Sequence, residues 1–204
     1  MPVVTAIRES RGMVEIEADG RAMARIRRQH FAKCPLKEGQ AVDPEAWLSR
    51  AAAVQFPDAW EAALTSLEAA DRTAKDIATS LRRRGYVAPA IDAVVARLTE
   101  TGLVNDARYA ERLAEVQSKK PVGVYAFRRR LRAKGISEDD AEAALDAFDD
   151  EQQAAACLAA AQKLARRYAD LPAREARAKL SQALARRGFG WDAITGVVDG
   201  MFDE

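Results

Sequence analysis

The sequence predicts a mainly α-helical protein in which tandem three-helix, helix-turn-helix-like repeats form an elongated array behind a small N-terminal antiparallel β-hairpin or three-stranded sheet. Valine, isoleucine and glycine are concentrated before about Gln40, whereas alanine, leucine, arginine and glutamate dominate after Pro57. One short pattern occurs three times, as LRRRGY from Leu81, LRAKGI from Leu131 and LARRGF from Leu184. Because 49% of the 204 residues are hydrophobic, the chain should fold rather than stay disordered.

The first thirty residues carry strand signals. Val3–Glu9 and Met13–Ala18 are β-branched or alternating runs, separated by a turn at Ser10–Gly12. Asp19-Gly20 is a strong two-residue hairpin signal, and the alternating segment Arg21–Arg27 follows it. We therefore expect two or three antiparallel strands, whose apolar face needs a covering helix.

The next segment predicts the covering helix and its end. Asp43 stands before Pro44, which is the arrangement of a capping residue followed by proline at the first helical position. We expect this helix to run to about Ala53. The sequence Phe56-Pro57-Asp58 should end it and open the next helix, since proline normally breaks a helix interior.

The three copies of the short pattern define a repeated helix-turn-helix unit. In the first copy, Thr73 and Asp76 resemble a capping box, and the helix should stop at Gly85. A second helix should end near Gly102, and an additional helix should run from Asn105-Asp106 to about Gln117.

Numbered from these glycines, the unit recurs after 50 and 53 residues, at positions 85, 135 and 188. We predict an N-terminal extension at residues 1–56, a first repeat at 57–118, a second at 119–170 and a partial third at 171–204. The repeated apolar positions are what any helix-turn-helix needs to close its core, and the glycines are typical of helix ends.

The charges are balanced globally and separated locally. With 32 basic and 31 acidic residues the formal net charge is +1, which does not indicate a nucleic-acid binder. Residues 119–135 nevertheless carry seven basic and no acidic side chains, and residues 137–151 carry eight acidic and no basic ones. Any surface that attracts a charged partner must therefore come from a local cluster of charged residues.

The candidate binding residues are the cations interleaved with the repeated pattern. On the helix with Phe127 and Leu131 inward, Arg129 should point outward, flanked by two further arginines in an exposed basic ridge. Such ridges could meet phosphates or acidic protein surfaces, although arginines near helix C-termini also simply favour the helix dipole. The full set is Arg82, Arg83, Arg84, Arg128, Arg129, Arg130, Arg132, Lys134, Arg186 and Arg187.

The sequence offers little for catalysis. It contains no GxxxxGK[ST] phosphate loop, dinucleotide GxGxxG, HExxH or GxSxG pattern. The single histidine, His30, should lie at the surface or in a turn, and Cys34 and Cys157 should be reduced thiols. We expect no catalytic residue, no cofactor and no metal, in a cytoplasmic, monomeric protein that does not enter a membrane.

The repeated segments resemble the RecX family, regulators of the RecA recombinase. Residues 73–115 are similar to the first RecX repeat, including a box in which Asn105 replaces the usual first acidic residue. That box comprises Gly102, Leu103, Val104, Asn105, Asp106, Tyr109 and Ala110. The other two repeats match at Gly123, Leu131, Lys134, Gly135 and Ile136 and at Leu184, Arg186, Arg187, Gly188 and Phe189.

The resemblance covers Trp60 to Phe202 and implies a non-enzymatic modulator. Such a protein would lie in the groove of the RecA nucleoprotein filament and mainly inhibit recombinase, ATPase and co-protease activity in DNA repair and the SOS response. Some members of the family also bind single- or double-stranded DNA. The acidic run after Ser137 would repel phosphates, so only the face with Arg128–Arg132 could approach DNA. A stand-alone helix-turn-helix DNA-binding protein and an α-helical protein-interaction scaffold remain open.

Overall fold

The computed structural model describes residues 1–118 and 120–202, in two compact units whose boundary follows Asn105. Lys119, the first residue of the basic run, lies outside the described residues. In the described part no helix is long and apolar enough to cross a membrane. The elements are β1 (Val4–Ser10), β2 (Met13–Ala18), β3 (Arg21–Arg27), α1 (Arg28–Phe31), α2 (Pro44–Ala69), α3 (Ala74–Arg83), α4 (Ala88–Glu100), α5 (Asp106–Gln117), α6 (Val124–Lys134), α7 (Glu138–Leu145), α8 (Asp150–Ala165), a 3₁₀ turn (Arg166–Tyr168), α9 (Ala173–Arg186) and α10 (Trp191–Phe202).

The N-terminal strands form the expected antiparallel sheet in the order β1-β2-β3. At the β2–β3 hairpin both central residues have positive φ, 48° at Asp19 and 72° at Gly20, as a two-residue hairpin with matching twist requires. The apolar face of the sheet, with Ile16 and Ile26 fully buried, packs in one core with Trp47 of α2. The prediction that a helix covers this sheet is confirmed.

The predicted break at Pro57 is wrong, because α2 is one helix of 26 residues. The side chain of Asp43 caps its start by accepting the N–H groups of Glu45 at 3.0 Å and Ala46 at 3.3 Å, as expected. Pro57 removes one backbone donor, but the buried stripe continues across it. That stripe consists of Trp47, Ala51, Gln55, Ala59 and Ala63. Burial on both sides of the proline therefore outweighs the local break signal.

The C-terminal half of α2 packs with α3 and α4 in the first three-helix module. Thr73 accepts the N–H of Asp76 at 3.2 Å, which confirms the predicted cap of α3. Ile77 and Leu81 are buried in the core of this module, and Gly85 ends the helix with φ of 83°. In this module, Leu81 therefore packs in the core and Gly85 ends the helix, as predicted.

The other two modules begin one helix earlier than the boundaries that we placed from the glycines. Ala110 and Ala114 of α5 share a core with Phe127 and Leu131 of α6 and with α7. The third core consists of α8, α9 and α10. Hence α5 and α8, the helices between the repeated pairs, each pack with the helix pair that follows them. In the first module, the C-terminal half of α2 takes this place.

His30 is fully buried, which contradicts the expected surface position. Its Nε2 lies 2.8 Å from Oδ2 of Asp58, its Nδ1 lies 3.4 Å from Nε2 of Gln55, and its ring stands 5.7 Å from that of Tyr86. Since α2 continues through Pro57, it brings Gln55 and Asp58 under α1. The hydrogen bond with His30 is the main reason why the pKa of Asp58 lies below its ordinary value.

Candidate interaction surface

The first copy of the repeated pattern presents three uncompensated cations. Arg82, Arg83 and Arg84 are exposed at the end of α3, and none of them forms an ion pair within residues 1–118 and 120–202. The second module carries Glu138 three residues after its glycine, but the equivalent residue here is Ala88. The arginine cluster of the first module therefore has no neighbouring carboxylate in that position.

The N-terminal sheet holds the turn that carries these arginines. The Nε of Arg27 donates to the carbonyl of Arg84 at 3.0 Å, and its guanidinium lies 5.9 Å from the centre of the Tyr86 ring. Gln55 donates to the carbonyl of Gly85 at 3.3 Å and accepts the N–H of Val87 at 2.8 Å. The extension therefore fixes the direction in which the cluster faces.

The second copy is largely compensated by its own module. Arg132 forms a two-pronged bond to Glu138, with Nε···O and Nη···O distances of 3.0 and 2.8 Å, and Arg128 lies 2.7 Å from Glu142. The bond with Arg132 is the main reason why the pKa of Glu138 is lowered, and the same bond raises the pKa of Arg132. The acidic run that should have repelled a ligand thus neutralises part of the predicted ridge.

Arg129 is the cation of this ridge that stays open. It is exposed, as predicted, and makes no ion pair with any described residue. Arg130 is also exposed, but it donates to Oε1 of Gln117 at 3.1 Å. Lys134 is half-buried at the end of the helix.

The third copy caps the start of α6. The carbonyls of Arg187 and Gly188 accept the N–H groups of Gly123 at 3.2 Å and Tyr125 at 3.0 Å. Gly188 has φ of 85°, and a Cβ there would stand 2.2 Å from the backbone nitrogen of Ala126. Two donors left open by the helix start are thereby satisfied by the turn of the neighbouring module.

Within the second unit, the second and third copies therefore stand at opposite ends of α6. The 11 residues of this helix span roughly 16 Å at 1.5 Å per residue. Arg186 and Arg187 are exposed at the N-terminal end, without an ion pair in the described residues, and Arg129 follows along the helix. Open guanidinium groups can bind carboxylates or phosphates through paired hydrogen bonds.

Sequence reasoning did not single out two exposed aromatic residues in this area. Tyr125 is 54% exposed and Trp191 is 64% exposed. Tyr125 lies two residues after Gly123, and Trp191 directly follows Gly190. An aromatic residue close after a glycine was therefore the signal that the sequence offered.

The remaining groups of interest are the acidic clusters and the two thiols. Among the described residues no group of three or more His, Cys, Asp or Glu side chains could hold a metal ion. Burial raises the pKa of the Cys157 thiol to about 11 and also raises that of Cys34, so both thiols stay protonated at neutral pH. The exposed arginines are therefore the groups of the described surface that we consider for binding.

Three family domains match the chain in order: the first RecX three-helix domain at residues 59–98, the second at 105–145 and the third at 150–198. The chain is 35% identical over 147 residues to the regulatory protein RecX of Chlorobium phaeobacteroides (strain BS1), covering 71% of this chain and 93% of that protein. It is 29% identical over 203 residues to that of Leuconostoc citreum (strain KM20), covering 96% and 74%.

Two solved structures are similar to this chain, one over nearly all of it and one over about three quarters. A crystal structure of a regulatory protein RecX has a TM-score of 0.69 at 26% identity and covers 98% of this chain and 100% of its own. That of RecX from Lactobacillus salivarius has a TM-score of 0.65 at 29% identity, covering 73% and 97%.

Proposed function

The chain belongs to the RecX family of regulatory proteins, and from this premise we propose that it binds the RecA nucleoprotein filament and mainly inhibits its activities. The affected activities are recombination, ATP hydrolysis and co-protease function in DNA repair and the SOS response. The protein acts in the cytoplasm by binding, without catalysis of its own. The observation that carries this proposal is the presence of all three family domains in order along the chain.

The distribution of open and compensated cations supports a binding role. Arg82, Arg83, Arg84 and Arg129 have no carboxylate partner in the described residues, whereas Arg132 is engaged within its own module. Guanidinium groups without internal partners are available to acidic side chains or to phosphates of the filament. Charges of this kind steer association and fix orientation more than they add raw affinity.

The test is RecA-dependent ATP hydrolysis on single-stranded DNA, with the purified chain added below the RecA concentration. A regulator of the filament lowers the steady-state rate at such ratios and changes filament length in electron micrographs. Unchanged hydrolysis together with unchanged filaments would remove the proposal.

Direct DNA binding is the second candidate, because three adjacent arginines of the first module are exposed and form no ion pair with any described residue. A stand-alone DNA-binding protein would bind labelled oligonucleotides without RecA, with an affinity that falls steeply as salt rises. Fluorescence anisotropy between about 50 and 200 mM salt separates the two functions. A protein that binds only the filament leaves the oligonucleotide anisotropy unchanged.

A further inference from the structure

The end of β3 and the start of α1 carry three arginines that differ in their partners. Arg25 lies 3.2 Å from a carboxylate oxygen of Glu15, and Arg28 lies 3.1 Å from one of Glu9. Arg27 stands between them and is half-buried, and it forms no ion pair within residues 1–118 and 120–202. In the described part of the chain, Arg27 therefore keeps an uncompensated charge beside two compensated ones.

The side chain of Arg27 reaches the turn that follows α3. Its Nε donates to the carbonyl of Arg84 at 3.0 Å, and its guanidinium lies 5.9 Å from the centre of the Tyr86 ring. Neither Nη of Arg27 is buried, since the buried side-chain nitrogens that lack a partner in the described residues belong to Arg128 and Gln153. A guanidinium has five N–H donors, so those on the two Nη atoms of Arg27 stay accessible to a partner.

Arg27 and the arginines of the first repeated pattern form one surface. Burial raises the pKa of Tyr86, and the charges of Arg27 and Arg84 both oppose that rise. The two guanidinium groups therefore act on the same hydroxyl, although 57 residues separate them in the sequence. Arg82 and Arg83 directly precede Arg84 and are also exposed. The sheet and the turn thus contribute cations to a single composite surface.

Two carboxylates lie near the same hydroxyl and reduce the positive charge. Asp58 and Glu61 act on the pKa of Tyr86 in the direction opposite to the arginines. Asp58 is engaged inside the chain, because one of its oxygens lies 2.8 Å from Nε2 of His30. Glu61 is exposed and has no ion pair in the described residues. Since the surface carries four arginines without ion pairs in those residues, it stays positive overall.

These charges favour a protein carboxylate over a nucleic-acid strand. A strand carries a row of phosphates, about one per 3.4 Å of duplex axis, so several phosphates would meet the repulsion of Asp58 and Glu61. An acidic protein segment can present one carboxylate to the guanidinium groups without a second charge beside it. The planar fork of a guanidinium matches such a carboxylate through two parallel hydrogen bonds.

We propose that Arg27 and Arg84 together bind a carboxylate on an acidic segment of the partner protein. The Nη groups of Arg27 donate to this carboxylate, while its Nε keeps the bond to the carbonyl of Arg84. The N-terminal sheet is then part of the interaction surface of the first module and does more than cover its core. This inference rests on the proposed function in taking the partner to be the RecA filament.

The test compares single arginine variants in RecA-dependent ATP hydrolysis on single-stranded DNA. Arg27→Gln removes the uncompensated charge, whereas Arg25→Gln and Arg28→Gln make the same charge change at neighbouring residues that are paired. Arg27→Gln should need about tenfold more protein for half-inhibition, as expected when charge-assisted bonds are lost, and both controls should match wild type. Equal inhibition by all three variants would overturn the inference and leave the proposed function standing. No inhibition by wild type would overturn both.

Two further measurements separate this contact from other roles of Arg27. The N–H of Tyr86 bonds to the carbonyl of Leu81 at 3.3 Å, so its hydrogen exchange reports whether the turn keeps its place. We expect unchanged exchange in Arg27→Gln; faster exchange would show that Arg27 acts only by holding the turn, which would contradict a direct contact. Without RecA, wild type and Arg27→Gln should give the same anisotropy with a labelled single-stranded oligonucleotide. Tighter binding by wild type would assign the surface to nucleic acid and overturn the inference.

Discussion

Replacing Gly188 with alanine should strongly destabilise the second unit. The left-handed conformation at φ of 85° disfavours any residue with a Cβ by about 1–2 kcal/mol. The added Cβ would also stand 2.2 Å from the Ala126 nitrogen, which is backbone and cannot move aside alone. The turn must therefore separate from α6 and lose its bonds to Gly123 and Tyr125, each contributing about 0.5–1.5 kcal/mol. The free energy of unfolding should fall by about 2–5 kcal/mol in total.

Gly102→Ala is the matched control, because Gly102 also follows the end of a helix with φ of 71°, and a Cβ there would meet no atom within 4 Å. It should cost only the conformational part, about 1–2 kcal/mol. Urea denaturation followed by circular dichroism measures both variants. Hydrogen exchange then reads the amides of Gly123 and Tyr125, which should exchange faster in Gly188→Ala alone. Equal losses of stability and unchanged exchange at these amides would refute the close approach of the two modules.

Three further predictions concern the polar groups around His30 and the two cysteines. Asp58→Asn should be less stable than wild type at pH 7. Because the hydrogen bond with His30 lowers the folded pKa of Asp58, the stabilisation by its carboxylate is complete above the ordinary value of 3.8 and is lost as pH falls through the lower folded value. The urea midpoints of the two proteins should therefore differ at pH 7 and approach each other as pH falls below 3.8. Gln55→Ala leaves the buried N–H of Val87 and the carbonyl of Gly85 without the hydrogen bonds that Gln55 makes, and should lower the free energy of unfolding by about 2–4 kcal/mol. The exposed Gln152→Ala should lower it by less than about 0.5 kcal/mol, as thermal denaturation would show. Equal losses in the two variants would contradict these hydrogen bonds. Cys34 and Cys157 should react with a thiol reagent only after unfolding, and rapid labelling of the native protein at pH 8 would refute their burial.

The sequence predicted the features that depend on neighbouring residues. The strands, the Asp19-Gly20 hairpin, the caps at Asp43 and Thr73, and the glycine helix ends all follow from local backbone chemistry. They appear in the structure at the expected positions. The threefold repetition of a leucine before a glycine then identified the family.

The features that sequence reasoning missed depend on tertiary packing. Pro57 carries a helix-breaking signal, but burial of Gln55 and Ala59 on either side holds α2 together. The same continuity buries His30 against Asp58, which no local pattern indicates.

The ion pairs of the second module had a signal that could have been read. Arg132 and Glu138 stand three residues before and after Gly135, and Arg128 and Glu142 stand seven before and after it. A tight turn brings such symmetric positions of two helices together. Two ion pairs therefore join the basic run to the acidic run that follows it, and Arg129 stays open between them.

We propose that open arginines of this chain bind the recombinase filament. The most direct measurement compares inhibition of RecA-dependent ATP hydrolysis by wild type, by Arg82→Glu/Arg83→Glu/Arg84→Glu, and by a control with equal charge change in the N-terminal extension. The control carries Arg21→Glu, Lys37→Glu and Arg50→Glu, all at exposed positions. We expect the first variant to need at least about tenfold more protein for half-inhibition, since three charge-assisted contacts become repulsive, while the control matches wild type. Equal inhibition by all three proteins, or none by wild type, would contradict the claim.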